Sequence, residues 1–64
     1  MAELFFLYKE KPYLFDTKLV KLFRLENERY TEITTPEIVQ NIRFDSIEIS
    51  REQAYRLADA NQEL

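Results

Sequence analysis

The side chains with chemical potential in this 64-residue chain are the serines Ser46 and Ser50, four tyrosines, the lysines, and the carboxylates, among which Asp45 and Glu48 stand close in sequence. Asp45 and Glu48 together would suit acid–base work, and Ser50 would suit nucleophilic attack. Neither has the usual support. The chain has no histidine and no cysteine, so the commonest general base and the strongest side-chain nucleophile are both missing. Ser50 reads better as a helix cap, and isolated carboxylates at a strand edge are ordinarily solvated. Glycine is also absent, which removes the phosphate-cradling loops of nucleotide-binding enzymes. The expectation is no enzymatic activity and no catalytic residue.

Metal and cofactor chemistry fare no better. Without imidazole or thiolate only oxygen ligands remain, and no Asp/Asn-rich loop closed by a glutamate is present. No metal, no cofactor and no small-molecule substrate are expected.

Binding to another macromolecule remains. From Lys9 to Arg24, the cations Lys9, Lys11, Lys18, Lys21 and Arg24 interleave with Tyr8, Tyr13 and Phe23, in a chain whose net charge is -3. On one sheet face these residues would stack bases and meet the phosphates of a single-stranded nucleic acid. The overall acidity argues against a general polyanion binder, and a small core needs its aromatics. A protein partner therefore ranks first. The residues assigned to it are Phe5, Leu7, Tyr8 and Tyr13, in a stretch with more large apolar side chains than a short helix pair readily covers. The function expected is a non-enzymatic adaptor, inhibitor or accessory subunit. A homodimer sharing its sheet is the third reading, so a protein partner or homo-oligomer is expected ahead of nucleic acid.

The elements that position these residues centre on a hairpin across residues 18–33. Leu19, Val20, Leu22, Phe23 and Leu25 precede the polar run Glu26-Asn27-Glu28-Arg29, after which Tyr30, Thr31 and Ile33 resume a β pattern. A turn at Asn27 and Glu28 sets Leu25 opposite Tyr30, Leu22 opposite Ile33, and Glu26 opposite Arg29 as an exposed charge pair. A helix over 18–26 capped by Asp16 competes with the first strand. The β formers of Tyr30–Ile33 favour the hairpin, because a strand there needs a neighbour.

Upstream, Glu3–Tyr8 reads as a strand apolar on both faces, either central in the sheet or with one face against another chain. The turn Lys9-Glu10-Lys11-Pro12 follows, and Pro12 opens a short extended piece through Phe15. Downstream, Thr35 as N-cap, Pro36 at the first helical position and Glu37 predict a helix to about Asn41, with Ile38 and Ile42 on its apolar side. A strand alternating through Ile38, Gln40, Ile42 and Phe44 is the alternative. Ile47 and Ile49 form a brief alternation with both side chains buried. Ser50 and Gln53 then make a capping box before a final helix with the stripe Ala54, Leu57, Ala58, ending near Ala60 or Asn61. Residues 61–64 are expected to fray.

These elements predict an α+β fold in a single small domain, residues 1–64: an antiparallel sheet of three to four strands with one short helix and a C-terminal helix packed on one face. No apolar run is long enough to span a bilayer or form a signal-peptide core, so no membrane association and a cytoplasmic location are expected.

Overall fold

In the computed structural model, which describes residues 3–26 and 29–61, alternating apolar side chains produce four consecutive strands. These are β1 (Glu3–Tyr8), β2 (Lys11–Asp16), β3 (Lys21–Glu26) and β4 (Arg29–Ile33), followed by α1 (Pro36–Asp45), β5 (Ile47–Ile49) and α2 (Arg51–Asn61). The first four pair antiparallel in succession, and β5 returns to the other side of β1, giving the order β4-β3-β2-β1-β5. The two-sided apolar strand β1 is thus paired along both edges. The α+β antiparallel fold stands as expected, with five strands where three to four were predicted, because the brief Ile47–Ile49 alternation is a true strand.

Register fixes the faces. Phe5 pairs with Leu14, Leu14 with Phe23, and Leu25 with Tyr30, so these side chains share one face. There Phe5, Leu14 and Leu25 bury against Ala54 and Ala58 of α2, with Phe23, Ile49 and Tyr55 around them. Ala54 is completely buried, and small side chains at both helix positions let α2 approach the sheet closely. On the opposite face Tyr13 and Leu22 bury against Ile42 of α1, bordered by Phe6, Tyr8, Phe15, Ile33 and Val39. The helices therefore lie on opposite faces, where the sequence reading had assigned a single packed face. The reason is that β1 and β2 are apolar on both sides, and each side needs its own cover.

The hairpin register agrees with expectation, with Leu25 opposite Tyr30, Leu22 opposite Ile33 and Glu26 opposite Arg29. Its expected tip residues Asn27 and Glu28, and the tail 62–64, lie outside the described residues. The helical alternative for 18–26 is excluded, yet the strand begins only at Lys21. Asp16 is the cause: its Oδ1 accepts the backbone N–H of Lys18 at 2.9 Å and of Leu19 at 3.0 Å, turning the chain through Thr17–Val20. Pro12 is buried inside β2 rather than opening it, and the β2–β3 ladder stops at Tyr13 and Arg24, in keeping with a proline that has no N–H to donate.

The predicted helix start holds, with Thr35 at the N-cap and Pro36 first in the helix, although Thr35 makes no side-chain capping bond. The helix runs past Asn41 to Asp45, which excludes the strand alternative. Ser46 stops it, its backbone N–H donating to the Ile42 carbonyl at 3.2 Å and its Oγ donating to the same oxygen. Ile38 stays at the margin while Val39 and Ile42 pack inward. At α2 the capping box is complete: Gln53 N–H donates to Ser50 Oγ and Ser50 N–H donates to Gln53 Oε1, each at 3.1 Å.

Candidate functional site

Helix α1 has to connect the two edges of the sheet, since it leaves β4 at Ile33 and delivers the chain to β5 at Ile47. β4 and β5 also enter and leave at opposite ends of the sheet, so the crossing is diagonal. One corner of the α1 face is left without a cover. There Leu4 and Phe6 of β1, Phe15 of β2 and Leu22 of β3 form an apolar floor. Val20, from the β2–β3 loop, with Val39, Ile42 and Arg43 of α1, forms the walls of an open groove of about 520 Å³.

Val20 is the unusual member. Its φ of 55° is in the left-handed region, where a β-branched residue is a genuine outlier, and it is 72% exposed. Leu19 beside it is 61% exposed. Across the groove Arg43 carries the charge, its guanidinium 5.7 Å from the centre of the exposed Phe44 ring.

The neighbouring part of the same face is polar. Tyr8 and Tyr13 meet edge to face with ring centres 6.2 Å apart, and burial pushes the Tyr13 hydroxyl pKa up, against the opposing pull of Arg24. Arg24 Nη2 donates to Glu26 Oε2 at 2.5 Å, so the carboxylate expected to face Arg29 is held along its own strand. Arg24 Nε is buried there without a hydrogen-bond partner among the described residues.

The residues assigned to a protein partner divide between core and surface. Phe5 and Tyr13 are each only 6% exposed, so in this fold they are core residues that support the sheet. Their burial follows from the second helix-covered face. Leu7 and Tyr8 are half-buried, and alternation sets Leu7 with Phe5 on the α2 face and Tyr8 with Tyr13 on the α1 face. Ile47, expected to be buried, is 65% exposed at the edge strand, while Ile49 packs under α2.

The cations assigned to nucleic acid are dispersed. Lys9 and Lys11 flank the β1–β2 turn, with Lys9 Nζ 5.5 Å from the centre of the Tyr8 ring, whereas Lys18 and Lys21 sit at the far end of strands spanning roughly 17–20 Å. Alternation sets Lys21 on the opposite face from Lys11 and Arg24.

The sequence reading missed Val39 because it gave the apolar side of α1 to Ile38 and Ile42, missed Arg43 because it ended α1 near Asn41, and placed Val20 inside a strand. Leu4 and Phe15 did carry a signal, in the two-sided pattern of the first strands. Both serines are engaged with the backbone, Ser50 at the α2 cap and Ser46 at the α1 stop. Among the described residues no three His, Cys, Asp or Glu side chains group to hold a metal, and no helix is long and apolar enough to cross a membrane. In comparisons with known proteins, no family model, no curated protein and no solved structure matches the chain.

Proposed function

We propose that the chain is a non-enzymatic protein-binding module, acting as an adaptor, inhibitor or accessory subunit, whose docking surface is the groove between α1 and the aromatic N-terminal strands. The observation that carries this reading is Val20. A valine held at positive φ and facing water gains nothing from burial and strains the backbone, an arrangement met where function rather than folding selects the residue. It stands on the wall of an apolar groove that includes the partly exposed Leu4 and continues the two-sided β1 pattern. The lining supports binding over catalysis, because its charged residue is an arginine, which stays protonated and offers no acid–base chemistry.

The test is capture from cell lysate on tagged wild-type protein and on a Leu4→Glu/Val20→Glu variant, each run with and without nuclease. Leu4 and Val20 are exposed enough for the variant to fold, which circular dichroism checks. Proteins retained by the wild type and absent from the variant are the expected result. Retention that nuclease abolishes, or that the variant preserves in full, overturns the proposal.

A further inference from the structure

Resting on the protein-binding reading, we infer that the groove's occupant is an amphipathic helix of another protein, presenting three apolar side chains at i, i+3 or i+4, and i+7, with an acidic residue beside them.

Leu4, Phe15 and Leu22 stand in one row across β1, β2 and β3. Two inter-strand spacings make that row roughly 10 Å long. Residues i and i+7 of an α-helix are separated by about 10.5 Å along its axis. The volume agrees: a cavity of about 150 Å³ takes one benzene ring, so a groove of about 520 Å³ has room for about three large side chains.

Charge selects the flank. Arg43 is the charged residue of the lining, and Lys18 lies on the loop that carries Val20. The carboxylate that precedes that loop, Asp16 at the end of β2, is turned onto the Lys18 and Leu19 amides. Glu48 stands opposite Phe6 on the same face, so the positive charge is local to Arg43, and it is an acidic side chain entering beside that guanidinium that gains from it.

Backbone pairing excludes the extended alternative. An added strand pairs along a sheet edge, yet the floor is the face of β1, β2 and β3; β2 and β3 are interior strands, and β5 covers the other edge of β1 from Phe5 to Leu7. A second copy of the chain is a poor occupant as well, because both described helices already use their apolar stripes at home, α1 through Val39 and Ile42 and α2 through Ala54 and Ala58.

The probe is a displayed library of random peptides selected on immobilised wild-type protein. Enriched sequences are then synthesised and measured by fluorescence anisotropy and circular dichroism. The expected peptides carry three large apolar residues at helical spacing next to Asp or Glu, and they gain helix on binding. Arg43→Glu, at an exposed position, weakens them roughly tenfold, and exchanging the peptide's acid for lysine restores binding to that variant.

Enriched peptides with alternating apolar residues, or affinity indifferent to the charge reversal, overturn the helical acidic occupant while leaving a protein-binding groove in place. A wild-type dimer in sedimentation that Leu4→Glu/Val20→Glu dissociates assigns the groove to a second copy instead. No enrichment, or peptides that bind Leu4→Glu/Val20→Glu as tightly as wild type, removes this inference and the protein-binding reading together.

Discussion

The hydroxyls of Tyr30 and Tyr55 lie 2.8 Å apart, tying the edge strand β4 to helix α2 on the face of the sheet away from the groove. Tyr55 also meets Phe5 edge to face at 5.9 Å, so one side chain joins β1, β4 and α2. Burial, then the bond to Tyr30 and its proximity, push the Tyr55 pKa from 10.0 up to about 12, against the opposing pull of Arg51.

That shift makes the fold sensitive to alkali. The folded state holds the Tyr55 proton more tightly than the unfolded chain does, so this contribution is complete below pH 10 and is lost as pH rises through about 12. Burial shifts Tyr13 in the same direction. Urea midpoints measured against pH should fall across that window. In Tyr55→Phe the fall should be shallower, with a cost at neutral pH of about 0.5–1 kcal/mol for the lost hydrogen bond.

The β1–β2 turn is built without glycine, Lys9 and Glu10 both taking positive φ, at 51° and 66°, as a type I′ turn requires. Left-handed geometry is costly for residues with a Cβ. The double change Lys9→Asn/Glu10→Gly supplies the preferred pair for this turn, and net of the contacts both side chains make it should stabilise by about 1 kcal/mol in urea unfolding.

Val20 should set stability against binding. Val20→Gly relieves the positive φ and removes an exposed side chain, so unfolding should become harder by about 0.5–1 kcal/mol. The same substitution takes away one wall of the groove, so peptides selected on the wild type should bind it less tightly. Equal affinity with raised stability would show that the valine has no part in docking.

Ser50→Ala breaks one bond of the reciprocal cap with Gln53 and should cost about 1 kcal/mol, with faster hydrogen exchange confined to the first turn of α2.

Much of the fold was legible because β periodicity is local. The polar run 26–29 between two β-forming stretches was enough to set Leu25 opposite Tyr30 and Leu22 opposite Ile33, a register that the structure reproduces. Ser50 and Gln53 announced their cap for the same reason, since all the partners lie within one turn. Leu19 and Val20 misled because they extend the apolar run and Val20 is a strong β former, whereas their conformation is imposed from outside by the Asp16 carboxylate. The far end of α1 was hidden because Arg43, Phe44 and Asp45 carry no stop signal, and the stop comes from Ser46 reaching back to Ile42. The groove as a whole was not legible, beyond the two-sided pattern that holds Leu4 and Phe15. Its lining runs from Leu4 to Arg43 and comes together only because α1 crosses the sheet obliquely.

The pairing of β1 with β5 has a temporal consequence. Strands β1 to β4 meet through short turns, whereas Phe5 finds Ile49 only after 44 residues of chain have been placed, and loop closure of that length makes such contacts late in folding. The groove is therefore expected to assemble last, as the α1–β5 segment closes over a hairpin array already in place. Ile42 is the buried residue that holds α1 down, so this segment is also the first expected to open in the native state. An occupant wedged between α1 and the sheet would act as a clamp, slowing amide exchange in α1 and β5 far more than in β2 and β3.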